Sequence, residues 1–168
     1  MDVLPNPGSD GLLYSIVYPY YKRGDLLEWL KNNPKGVSMS QKWKWIEQLV
    51  DAVAFLHTQL NVAHMDLSLE NIFLDSYLNV VLADFGQAIF PADEPIYGSM
   101  HSKRYYEAPD RVLPDPCYPK CCDIWSLGVC IYSIFFGHFP FQKNSFTLEF
   151  FGDIKAHADY IAMTRFFL

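Results

Sequence analysis

The chain has 168 residues, 51% of them hydrophobic, with 13 Phe, 11 Tyr and 4 Trp. That excludes a disordered or linker segment and suits one domain with a real core. The formal net charge of −6 argues against a nucleic-acid binder, which would carry a basic stripe.

Residues 1–8 show no basic stretch followed by an apolar run, so no signal peptide is expected. Residues 12–18 (LLYSIVY) are apolar, aromatic and β-branched, which predicts a strand that Pro19 stops. Asp25 has the character of an N-cap for a short helix over 26–33, and Asn-Asn-Pro-Lys-Gly at 32–36 marks a loop. A longer helix is expected over 40–58, where Trp45, Ile46, Leu49, Val50, Val53 and Leu56 recur at helical spacing on one face. Short strands are expected at 62–63, 72–74 and 80–83, the last two joined by a turn at 75–79. Residues 84–122 have no sustained period and hold six prolines, the pattern of a long functional loop.

The most apolar stretch, 124–136, is too short to span a bilayer and contains Ser126 and Ser133, so a buried helix over about 123–136 is expected. Gly-His-Phe-Pro-Phe at 137–141 reads as a turn, and a last helical stretch begins near Thr147. Cys117, Cys121, Cys122 and Cys130 contain no Cys-x-x-Cys pair; reduced thiols around the buried helix are expected rather than a zinc site.

The chemistry concentrates in His64-Met65-Asp66-Leu67-Ser68-Leu69-Glu70-Asn71, between two short strands. Asp66 and Asn71 suit two tasks of phosphoryl transfer: accepting a hydroxyl proton, and holding a metal on nucleotide phosphates. Asp84-Phe85-Gly86 follows directly on a strand, offering a second metal-binding carboxylate and a glycine at which the chain can turn away.

This order, H-x-D-L-x-x-x-N, then D-F-G, then Ala108-Pro109-Asp110, resembles the protein kinase signature set. Asp123-Ile124-Trp125-Ser126-Leu127-Gly128 resembles the start of that family's central buried helix. Gly137 to Phe141 resembles the turn after it, and Gly24-Asp25-Leu26-Leu27 the segment after the hinge strand. The likeness runs from about Leu12 to Phe151. A small-molecule phosphotransferase would share the first motif but not the Ala-Pro-Asp and Asp-x-Trp-Ser-Leu-Gly segments.

The resemblance implies an α+β fold: the mainly helical lower lobe of a protein kinase, with short β-hairpins. It implies Asp66 as catalytic base and Asn71 and Asp84 as Mg²⁺ ligands. His64 and Phe85 would pack in the internal hydrophobic column, Phe85 as a core residue. Asp123 would brace the catalytic loop, and an N-cap role for the same residue is compatible with that. The hinge that binds ATP would include Val17, Tyr18, Pro19, Tyr20 and Tyr21, with Val17 or, preferably, Tyr18 as gatekeeper. The catalytic loop lacks the A-A-R or R-A-A run of tyrosine kinases, which favours Ser/Thr hydroxyls of protein substrates.

Four departures stand out. Met65 replaces the usual Arg that pairs with a phosphate on the activation segment, so phosphorylation of Ser99 or Ser102 is not expected to be required. Ser68 stands where Ser/Thr kinases carry Lys, and Lys103 stands where they carry Thr. That is a swap of partners across one contact, or else decay of the catalytic loop. Asp110 replaces the Glu of Ala-Pro-Glu.

No Gly-rich loop and no Val-Ala-Ile-Lys strand precede Leu12. Residues 1–11 are therefore read as a remnant and 12–168 as a partial kinase domain with the upper lobe largely missing, one that an upstream segment or a partner could complete. Truncation puts independent catalysis in doubt, and the alternative is a pseudokinase-like interaction module. No membrane or nucleic-acid partner is expected, and cytoplasm is the default location.

Overall fold

A computed structural model describes residues 2–5, 14–33, 37–97, 103, 105–111 and 116–140. Within them the α+β class is realised by three α-helices and two antiparallel hairpins. Strand β1 (Asp2–Pro5) pairs with β2 (Tyr14–Val17) in the register Asp2 to Val17 and Pro5 to Tyr14. The β1 strand was not anticipated, because four residues with a terminal Pro carry no period. The described strand β2 is shorter than 12–18, and residues 12 and 13 lie outside the described set.

Helix α1 (Leu26–Asn32) starts where Asp25 caps it, the carboxylate accepting the Glu28 N–H at 2.8 Å. Helix α2 (Met39–Thr58) is capped by Ser38, whose hydroxyl accepts the Gln41 N–H at 3.2 Å. Its apolar face buries Trp45, Ile46, Leu49, Val53 and Leu56. Val50 was expected on that face but is exposed. It lies next to Leu49 in sequence, some 100° round the helix, and no described residue covers it fully.

The hairpin of β3 (Ile72–Leu74) and β4 (Val80–Leu82) packs on both helices. Its turn is organised by Asp75, whose carboxylate accepts N–H groups from Tyr77 and Asn79, each at 2.8 Å. Hydrogen bonds from the Asn79 side chain and backbone lower the Asp75 pKa. Val62-Ala63 does not form a strand; Ala63 makes a single bridge to Ile89.

Helix α3 (Pro119–Phe136) begins four residues earlier than expected, with Pro119 in its first turn, and ends at Gly137, whose φ of 74° suits glycine. Asp123 is therefore inside the helix and is not its N-cap; Tyr118 holds that position. The helical stretch expected from Thr147 lies outside the described residues.

One core joins these elements. Trp45 is fully buried against Leu26, Leu49, Leu69, Ile72 and Leu74, meets Trp29 edge-on at 5.3 Å, and donates its indole N–H to the Leu78 carbonyl at 2.8 Å. Truncating such a side chain costs about 3–5 kcal/mol. Leu127, Cys130 and Ile134 of α3 close the same core. A second cluster gathers Ala63, Met65, Ala92, Ala108, Cys117 and Cys122. All four cysteines are free thiols; Cys117, Cys122 and Cys130 are buried and Cys121 is exposed. Among the described residues no helix is long and apolar enough to cross a membrane.

Candidate active site

The loop from Ala63 to Asn71 is almost wholly buried, an unusual place for irregular backbone, so each of its polar groups needs a partner. Ala63 exchanges backbone hydrogen bonds with Ile89 at 3.1 and 2.8 Å. The next two N–H groups go to one carboxylate. Asp123 Oδ2 accepts from His64 at 2.7 Å and Oδ1 from Met65 at 2.8 Å. Met65 has a φ of 66°, a left-handed conformation that a long side chain adopts only when its surroundings impose it. Its carbonyl accepts from Arg111 Nη1 at 2.9 Å, and its side chain fills the second apolar cluster.

His64 sits on the fully buried side of this turn. Its Nε2 lies 2.9 Å from the Ala83 carbonyl, which can only accept, so Nε2 carries the proton. Nδ1 then accepts the Asp66 N–H at 3.3 Å. Burial lowers the His64 pKa, the Ala83 hydrogen bond opposing it, and the ring is held neutral.

Asp66 is 8% exposed, and its carboxylate is tied down by Asn71: Nδ2 donates to Asp66 Oδ2 and to the Asp66 carbonyl, each at 2.8 Å. The other end of the Asn71 amide, Oδ1, accepts from Lys103 Nζ at 2.9 Å. Lys103 also donates to Ser68 Oγ at 2.8 Å, and its Nζ lies 3.5 Å from Asp66 Oδ2. Asp66, Ser68, Asn71 and Lys103 thus form one cluster. Tyr106 braces it from below, accepting the Leu69 N–H at 3.2 Å and donating to Glu70 at 2.7 Å. Burial pushes the Tyr106 pKa far up, so the phenol keeps its proton.

Asp84 is joined to this loop through its neighbour, since the Ala83 N–H donates to the Asn71 carbonyl at 2.9 Å. Asp84 has a φ of 62°, and its Oδ1 accepts the Gly86 N–H at 3.2 Å. A Cβ on Gly86 would stand 3.1 Å from that oxygen, so a larger residue there would have to push the Asp84 carboxylate by a few tenths of an ångström. Asp84 opens into a cleft of about 760 Å³ lined also by Tyr18, Pro19, Tyr20, Phe73 and Ala83.

The sequence from residue 9 to residue 164 matches the protein kinase domain family. This chain belongs to the protein kinase family. It is 35% identical over 136 residues to the serine/threonine-protein kinase kin-29 of Caenorhabditis elegans, covering 81% of this chain and 16% of that protein. It is 32% identical over 146 residues to human testis-specific serine/threonine-protein kinase 4, covering 77% and 44% of the two chains. It is 31% identical over 149 residues to a probable CTD kinase subunit alpha homolog of Encephalitozoon cuniculi, covering 89% and 43%. The chain thus spans less than half the length of each of these relatives.

In this kinase chain the expected hinge residues are spread unevenly. Tyr18, Pro19 and Tyr20 line the cleft, whereas Val17 closes strand β2 and is not among the lining residues. Phe85 packs against His64 with ring centroids 4.7 Å apart and the planes tilted by 54°, yet it is 47% exposed rather than core, because no described residue covers its outer side. Phe73 and Ala83 were not singled out from the sequence. Phe73 had a signal: in β3 Ile72 and Leu74 are buried and Phe73 alternates outward, so a period of two points it at the cleft. Tyr106 and Arg111 carried no comparable signal, since their roles depend on where a loop without periodicity folds back.

Two side-chain oxygens are of the kind Mg²⁺ takes, the Asp84 carboxylate in the cleft and Asn71 Oδ1, which here accepts from Lys103. Asn71 Oδ1 and the Asp84 carboxylate are hard oxygen ligands, and magnesium ordinarily takes one or two protein oxygens, completing its shell with water and phosphate. Among the described residues no group of three or more His, Cys, Asp or Glu is placed to hold a metal ion.

Proposed function

We propose that the chain transfers the γ-phosphoryl group of ATP to Ser or Thr hydroxyls of proteins. The observation that carries this reading is the Asp66–Asn71 pair. A buried carboxylate is fixed by a side-chain amide 2.8 Å away, on a loop that Asp123 clamps at two N–H groups. Such rigidity is what phosphoryl transfer asks of a protein, because catalysis here is positioning and charge stabilisation.

In this reading Asp66 accepts the proton of the attacking hydroxyl, and Asn71 and Asp84 hold Mg²⁺, which would neutralise phosphate charge. Tyr18, Pro19 and Tyr20 receive the adenine end, with Phe73 beneath it. The Ser/Thr preference rests on the relatives' printed activities and on the catalytic loop's lack of a tyrosine-kinase run.

A second reading, an interaction module without catalysis, draws support from one contact. The Asn71 oxygen that would face a metal is engaged by the Lys103 ammonium at 2.9 Å. Thermal shift with Mg·ATP separates the two. A magnesium-dependent rise in Tm that Asp84→Ala abolishes supports the enzyme. A folded protein without any shift supports the module.

A further inference from the structure

We propose that Lys103, from the segment leading into Ala108-Pro109, is the cation that meets the transferring phosphoryl group; this deepens the kinase reading and rests on it. The loop 64–71 contains no Lys or Arg, so a side-chain cation beside Asp66 has to come from another segment. Lys103 brings it. Its Nζ reaches Ser68 Oγ at 2.8 Å, Asn71 Oδ1 at 2.9 Å and Asp66 Oδ2 at 3.5 Å. All three partners are buried, while the Lys103 side chain keeps 35% of its surface exposed. An ammonium that donates to the metal-facing amide and a hydroxyl and pairs with the nearby base, yet stays open on one side, is placed to bind an incoming anion.

Arg111, another cation near the loop among the described residues, is directed to a different point. It is buried and donates to the Met65 carbonyl at 2.9 Å, on the face of the loop that packs into the second apolar cluster.

The proposal also accounts for the conflict at Asn71. The lysine stem can rotate about its terminal bonds so that Nζ keeps Ser68 Oγ and leaves Asn71 Oδ1. That frees the amide oxygen for Mg²⁺ and turns the ammonium to the phosphate. Ser68 is then a positioning residue: its hydroxyl accepts from Nζ in both placements.

In the transfer, the bond from γ-phosphorus to the oxygen bridging to the β-phosphate breaks, and its electron pair leaves with ADP. A bond forms from phosphorus to the substrate oxygen, whose proton passes to Asp66. Lys103 remains protonated throughout and acts by charge and hydrogen bonding alone.

The test is calorimetric titration of the whole chain with Mg·ATP and Mg·ADP, using wild type, Lys103→Met, and the double variant Ser68→Lys/Lys103→Thr. The preference for Mg·ATP over Mg·ADP is expected to fall about tenfold in Lys103→Met, the loss of one charged hydrogen bond. The double variant, which moves the ammonium to the opposite side of the same contact, is expected to restore it. Retention of the preference in Lys103→Met overturns the proposal alone. So does failure of a folded double variant to recover it. A folded wild-type chain that binds neither nucleotide overturns the kinase reading and this proposal with it.

Discussion

Asp123 reaches out of the first turns of α3 to take the His64 N–H at 2.7 Å, so the catalytic loop hangs from a buried helix rather than from its neighbours in sequence. The same carboxylate takes the Met65 N–H and stands 2.9 Å from His57 Nε2. Loop position is thus set by a residue nearly sixty positions downstream.

Asp123→Ala leaves two buried N–H groups without an acceptor, and each orphan donor costs about 1–3 kcal/mol. Denaturant unfolding is expected to show a loss of roughly 3–5 kcal/mol in total. Asp123→Asn keeps one acceptor oxygen where two are needed and is expected to fall between wild type and Ala. A loss under 1 kcal/mol for Ala would show that the loop is held by other means.

His64 gives the fold a pH dependence of definite sign. Its pKa in the folded chain lies below the ordinary value of 6.5, chiefly through burial. The unfolded chain therefore binds the extra proton first as pH falls, and stability is lost on going below about pH 6.5. The slope from this one group is at most about 1.4 kcal/mol per pH unit. Tm measured from pH 7.5 to 5 should decline, and His64→Asn should flatten the decline. An unchanged profile in that variant would assign the dependence to another group.

Asp66→Asn removes the proposed proton acceptor while keeping the shape of the loop. Transfer to a protein hydroxyl is expected to fall about 10²–10⁴-fold, the ordinary worth of a general base. Mg·ATP binding should persist, because Asn71 and Asp84 are untouched. Loss of both would mean that Asp66 serves the loop's structure instead.

Restoring the family residue at position 65 should do harm. Met65 is 2% exposed among Ala63, Ala92, Ala108, Cys117 and Cys122, and Arg111 already holds its carbonyl. Met65→Arg would bury a second cation in an apolar pocket, and a loss of at least about 2 kcal/mol is expected. The pocket also leaves no arginine at position 65 to receive a phosphate. Ser99→Ala/Ser102→Ala should accordingly keep activity within about twofold of wild type, unphosphorylated. A large gain from phosphorylating either serine would sink that expectation.

Much of this was legible where local pattern and final environment agree. The α2 stripe, the Asp25 cap and the β3–β4 turn are all written within a few residues of where they act. Asp66, Asn71 and Asp84 were visible because their spacing is fixed by the short loop and hairpin between them. What escaped notice involves contacts across long stretches of chain. The start of α3 was misplaced because Pro119 reads as a breaker and only its place in the first turn makes it a helix former. The family resemblance places Phe85 in the core, yet its exposure depends on what lies over the cleft. The Lys103 approach to Ser68 could be suggested by position, but its reach to Asn71 needed the folded loop.

The cysteines give the molecule a built-in reporter. Only Cys121 is open to solvent; Cys122 and Cys130 have pKa values pushed up by burial, which keeps them as unreactive thiols. A maleimide at neutral pH should therefore attach one label per folded chain, on the first turn of the helix from which the catalytic loop is hung. The remaining thiols become reactive only as α3 detaches from its neighbours. The time course of their alkylation is then a clock for opening of the catalytic loop's support, read without any substrate at all.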